Sequence, residues 1–144
     1  MYLIPRAGRL WIRLRMGDNS LMKEVMQSAA PALPPEMDPL QARRFLAEHA
    51  TNPAFALLDV RTPEEHDELH LAGDQLLDIY DYGFTEQIQA LPRQHSYLLY
   101  CRTGNRSGLA CEMMRRSGFS SVCNLSGGIK LWIERGLPVL SAED

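Results

Sequence analysis

Short apolar runs alternate with amphipathic stretches along most of this chain. Phe55-Ala56-Leu57-Leu58-Asp59-Val60, Tyr97-Leu98-Leu99-Tyr100 and Val122-Cys123-Asn124-Leu125 have the length and continuous apolar character of strands buried on both faces, and Gly73 to Ile79 offers another short strand. Between them lie helix signals. Asp38-Pro39 is an N-cap followed by proline at the first helical position, and Leu40, Arg44, Phe45 and Leu46 carry that helix to near His49. Thr62-Pro63-Glu64-Glu65 repeats the device for a brief helix, and Phe84 to Leu91 offers another. Leu109 to Arg116 closes at Gly118, and Ile129 to Arg135 closes at Gly136 ahead of Pro138. Strands alternating with helices imply an α/β fold with a mostly parallel sheet covered on both faces.

Composition changes that picture only at the N-terminus. With 45% hydrophobic and 23% charged residues the 144-residue chain is ordinary globular material, long enough for one core. Pro31, Pro34 and Pro35 stop a short helix expected over residues 18–30, so residues 1–35 read as an extension and linker and residues 36–144 as the domain. The net charge of -3 hides a start that carries Arg6, Arg9, Arg13 and Arg15 without an acid. No basic patch runs through the domain, which argues against a nucleic-acid partner. That start resembles a mitochondrial presequence but lacks the serines, and no apolar run is long enough to span a bilayer. Met16 and Met22 are alternative starts. The three cysteines, Cys101, Cys111 and Cys123, form no CxxC pair, so neither a disulfide framework nor a zinc site is indicated, and a reducing, cytoplasmic setting is expected.

The chemistry concentrates after the third apolar run. Cys101-Arg102-Thr103-Gly104-Asn105-Arg106-Ser107-Gly108 places a thiol in a strand-to-helix turn, where unpaired N–H groups and the positive end of a helix dipole converge. Those surroundings, with two arginines, stabilise a thiolate. Gly104 and Asn105 tolerate the positive φ that a nest of inward N–H groups needs, so the loop suits a small anion or an anionic sulfur on the cysteine itself. Arg102 and Arg106 would attract an anionic donor, and Arg106 serves equally well as a brace for the loop. Thr103 and Ser107 add hydroxyl donors or cap the following helix.

This loop resembles the Cys-Arg-x-Gly-x-Arg catalytic loop of the rhodanese-like sulfurtransferases. Three further places share the likeness, which runs from about Glu36 to Pro138. They are Leu58-Asp59-Val60-Arg61 with Pro63-Glu64-Glu65, then His70-Leu71-Ala72-Gly73, then Leu125-Ser126-Gly127-Gly128 with Trp132 and Gly136-Leu137-Pro138. The resemblance implies a three-layer fold with a sheet of about five strands and no cofactor or metal. It also implies transfer of a sulfane sulfur from an anionic donor such as thiosulfate, through a Cys101 persulfide, to a thiol, cyanide or protein acceptor. A sulfur-relay module serving a partner protein is the alternative. Phosphatases of the same fold carry one more residue between cysteine and arginine, and the shorter spacing here argues against that chemistry. Asp59 and Arg61 read as a structural pair beside the site, and His70 as a residue that holds its turn, since a pre-ionised thiolate needs no base. The chain departs from the family pattern at His66, where an aromatic is usual, at Leu69 for glycine, Ala72 for proline and Asp74 for alanine.

Overall fold

The computed structural model describes residues 29–143, so the arginine-rich start and nearly all of the helix expected over residues 18–30 lie outside the described residues. Ten elements follow in order: β1 (Glu36–Met37), α1 (Pro39–His49), β2 (Phe55–Asp59), α2 (Pro63–Glu68), β3 (Gln75–Leu76), α3 (Phe84–Gln89), β4 (Ser96–Tyr100), α4 (Asn105–Arg116), β5 (Val122–Leu125) and α5 (Gly128–Glu134). The strands form one parallel sheet in the order β1-β5-β4-β2-β3. The α/β architecture expected from the sequence is the one observed.

Helix starts follow the local chemistry. Asp38 Oδ1 accepts from the Gln41 N–H at 2.8 Å while the Gln41 side chain accepts from the Asp38 N–H at 2.9 Å, and Thr62 with Glu65 forms the same reciprocal box ahead of α2. Each helix then has proline at its first position.

Side chains of β4 alternate between two cores. Tyr97, Leu99 and Cys101 point into a cluster with Leu58, Phe84, Ile88, Ala110 and Met114, beneath α3 and α4. Leu98 and Tyr100 point the other way, into Met37, Ala42, Leu57, Leu125, Ile129 and Trp132 beneath α1 and α5. With both faces covered, β4 is buried at all five positions, which is why it reads as an unbroken apolar run. The segment read as a linker lies against this body: Leu33 N–H donates to Ser121 Oγ at 3.0 Å, the Pro31 carbonyl accepts from the Ser96 and Ser121 hydroxyls, and the Pro35 carbonyl accepts from Asn124 N–H.

Candidate functional site

Cys101 follows β4 directly, at the carboxyl end of the central strand, where open parallel sheets place ligands. Only three residues, Arg102, Thr103 and Gly104, separate it from α4. Gly104 is the N-cap of α4 at φ 102°, and Asn105 is already helical, so glycine alone supplies the left-handed turn that the sequence shared between the two. The helix therefore starts four residues before Leu109. With no side chain capping α4, its first N–H groups are left for the sulfur.

Three donors converge on Cys101 Sγ: Gly104 N–H at 3.1 Å, Ser107 N–H at 3.4 Å and Ser107 Oγ at 3.2 Å. Burial pushes the thiol up. The Ser107 hydroxyl and the N–H groups of Ser107, Gly104 and Thr103 together outweigh it, and the net result is a thiol below its ordinary value. Ser107 Oγ also lies 2.6 Å from Asn124 Oδ1, so the sulfur and the asparagine oxygen are both within reach of its single proton. Among the described residues Cys111 and Cys123 have no such donors, and burial pushes each up to about 12, as fits small core side chains.

The loop carbonyls are turned away from this cradle by a second helix. Ile129 N–H donates to the Cys101 carbonyl and Lys130 N–H to the Arg102 carbonyl, both at 3.0 Å, so the unpaired donors of α5 hold the opposite side of the loop. That approach requires Gly127 and Gly128, at φ 77° and 63°. A Cβ on Gly128 would fall 2.3 Å from the Arg102 carbonyl oxygen and 2.6 Å from that of Cys101. Gly128→Ala is expected to push the loop off α5 and lower sulfur-transfer rates by at least about tenfold, as would follow from a displacement on the order of 1 Å. Steady-state assay beside a far-UV spectrum checks this; wild-type kinetics in the variant would contradict it. The sequence showed these glycines as a turn and as part of a segment shared with the family, but not their service to the cysteine, which depends on tertiary contact. Asn124 was missed for the same reason: its Nδ2 donates to the Gly104 carbonyl at 3.1 Å and to Glu36 Oε2 at 3.2 Å.

The two arginines of the loop part company. Arg106 forms a bidentate pair with Glu65, Nη1 to Oε1 at 2.8 Å and Nη2 to Oε2 at 2.9 Å. The guanidinium holds the Glu65 carboxyl down at about 2, against the opposing effect of burial. Arg106 thus ties the first turn of α4 to the first turn of α2, the contact a brace for the loop would make. Arg102 is exposed and makes no ion pair among the described residues. Its side chain borders a cleft of about 300 Å³ shared with Leu69, Ile129, Ile133 and Glu68. Thr103 and Asn105 are exposed on the loop.

Asp59 and Arg61 form a buried ion pair. Asp59 is 0% and Arg61 4% exposed. Asp59 Oδ1 accepts from Arg61 N–H and Nε, Oδ2 accepts from Nη2 at 2.8 Å, and Nη2 also donates to the Leu69 carbonyl at 2.6 Å. Burial opposes the charge on Arg61, but the Asp59 bonds and charge outweigh it and hold the guanidinium ionised. His70 Nδ1 lies 2.9 Å from the His66 carbonyl, and its backbone pairs with Leu140. Among the described residues no helix is long and apolar enough to cross a membrane.

Comparison with known proteins bears on the family and the fold. Residues 42–135 match the family model described as "Rhodanese-like domain". The Mycobacterium tuberculosis protein named "Probable adenylyltransferase/sulfurtransferase MoeZ" is 39% identical over 84 residues, 58% of this chain and 21% of that protein. The match thus spans about a fifth of that relative's length. An Allochromatium vinosum protein named "Sulfurtransferase" is 32% identical over 87 residues, 60% of this chain and 79% of that one. Among solved structures, a rhodanese-related protein from Thermoplasma volcanium superimposes with TM-score 0.63 at 28% identity, over 74% of this chain and 98% of its own.

Proposed function

The chain belongs to the rhodanese-like family, and on that premise we propose that it transfers a sulfane sulfur from a thiosulfate-like donor through a persulfide on Cys101. The observation that carries this reading is the ring of donors around Sγ. The Cys101 thiolate attacks the outer sulfur of thiosulfate; a new S–S bond forms, the S–S bond of the donor breaks with its electron pair, and sulfite leaves. The negative charge then resides on the outer persulfide sulfur beside the N–H groups of the loop. Cyanide or a thiolate takes that sulfur in the second step and returns the thiolate. The step as written uses no general base; the donors of the cradle, outweighing burial, draw the thiol below its ordinary value and so ease formation of the thiolate.

Cys101 is 1% exposed, so a donor has to present a terminal, unhindered sulfur. Arg102 at the cleft supplies the positive charge that draws an anion in. Thr103, Gly104, Asn105 and Ser107 then contribute the loop that receives it. The pH dependence follows from the lowered thiol. Thiosulfate keeps its charge across the neutral and alkaline range, so the rate of sulfur loading is expected to rise with pH as the thiolate forms and to level off below pH 9, the ordinary thiol value. Stopped-time loading between pH 5 and 10 checks this; a rate still climbing through pH 9 would contradict an activated thiol. Turnover of a phosphotyrosine substrate would contradict the reading altogether.

A relay to a partner protein, in a reducing cytoplasm, has its own supporting observation. Tyr80 is 69% and Tyr82 104% exposed on the segment that touches Arg106, whose guanidinium lies 5.9 Å from the Tyr80 ring. Exposed aromatics beside a reactive loop fit a protein acceptor. Slow discharge of a preformed persulfide by cyanide and small thiols would favour relay over small-molecule turnover.

A further inference from the structure

His66, His70 and Asp74 stand at four-residue intervals, and the fold gathers them on one turn. Helix α2 ends at Glu68 and Leu69 at its C-cap is extended, so His66 and His70 meet through a bend, with rings stacked 4.0 Å apart at 13°. The chain then reverses at Gly73, φ 79°, and returns Asp74 to the pair. Asp74 Oδ1 lies 2.9 Å from His66 Nε2. One ring nitrogen of each histidine and one Asp74 oxygen lie within 4.8 Å of one another.

We propose that His66, His70 and Asp74 form a binding site for a divalent transition-metal ion of the zinc class, separate from the sulfur-transfer loop. Three protein ligands with a fourth position left to water are the pattern of a zinc site, and two imidazoles disfavour calcium and magnesium. The supporting contacts are those that metal ligands use. The His66 carbonyl can only accept, so His70 Nδ1 carries the proton of that 2.9 Å bond and Nε2 keeps its lone pair for a ligand. Asp74 is held from behind: its side chain is 3% exposed, and Oδ2 accepts from Tyr100 Oη at 2.6 Å.

The ligand atoms are gathered, but the stacked rings have to rotate for their in-plane lone pairs to converge on one ion. Ligands at about 2.0–2.1 Å from a tetrahedral zinc stand about 3.3 Å from each other. The His66–Asp74 contact has to open by a few tenths of an ångström as the ion replaces the proton between them, and His70 has to swing inward. His66 lies in the last turn of α2 and His70 on the α2–β3 connection, both partly buried. An ion there would pin that connection to Tyr100, on the face of β4 opposite Cys101.

The test is titration of Zn2+ and Co2+ into the full untagged chain, by competition with a chromophoric chelator. It is run on the wild type and in the Cys101→Ser background. One equivalent is expected in both, with a cobalt spectrum free of a strong thiolate charge-transfer band. His66→Phe keeps a ring to stack on His70, and Asp74→Asn keeps an acceptor for Tyr100; each is expected to weaken binding at least tenfold. Tyr100→Phe removes only the support behind Asp74 and is expected to weaken it by about 10- to 100-fold. Far-UV spectra confirm that each variant is folded. No retained ion in the wild type, affinity unchanged in both folded His66→Phe and Asp74→Asn, or a thiolate band would overturn the proposal.

Discussion

Cys101→Ser is expected to abolish sulfur transfer, by at least about 1,000-fold, in a protein that still folds. The substitution nearly preserves shape, and the Gly104 and Ser107 donors that hold the sulfur can hold a hydroxyl oxygen. Stability is expected to change by only about 1 kcal/mol. Chemistry changes completely, because these donors, already opposed by burial, cannot bring a serine hydroxyl into the range where it ionises at neutral pH. Cys111 and Cys123 offer no substitute, since each is buried and pushed up to about 12. Turnover with thiosulfate and cyanide, beside a melting curve, checks both halves. Substantial residual activity would move the nucleophile elsewhere.

Asp59→Asn is expected to cost about 3–5 kcal/mol of stability, the range for removing one charge of a buried pair. Asp59 accepts three bonds from Arg61, and the pair is shut off from water. An asparagine amide would turn a donor toward the guanidinium and leave an uncompensated charge next to Tyr100, whose ring lies 5.3 Å from Arg61 Cζ. Leu69 would be loosened with it, since its carbonyl takes the remaining Arg61 bond. A melting midpoint lower by on the order of 10 °C is the expected reading by calorimetry. A stability within 1 kcal/mol of wild type would show that the pair is not the anchor its burial indicates.

What the sequence disclosed about this site was what neighbouring residues decide among themselves. The apolar run into Cys101, the capping residues Asp38 and Thr62, and the closing glycines Gly118 and Gly136 act within a few positions of themselves, and all appear where expected. The two-residue strand β1 was not anticipated, because Glu36 and Met37 are too few to carry a period and are strand only through pairing with Asn124 and Leu125. The expected strand over residues 73–79 shrank to Gln75–Leu76 for a related reason: it is an edge that pairs only with the end of β2. The early start of α4 was hidden because Gly-Asn in a loop context reads as turn, whereas the bonds to Sγ and Asn124 let the helix begin at once. The partner of Arg106 was illegible because Glu65 stands 41 positions away. The support of the loop by Gly128 and Asn124 was illegible on the same ground, since every partner is distant in sequence.

The central claim is that the Cys101 cradle accepts and holds a sulfane sulfur. Intact mass before and after exposure to thiosulfate, with sulfite removed and Cys101→Ser alongside, tests it most directly. The account predicts a gain of one sulfur atom on the wild type, lost on treatment with cyanide and never seen in the variant. An unchanged wild-type mass, or an equal gain in Cys101→Ser, would contradict it.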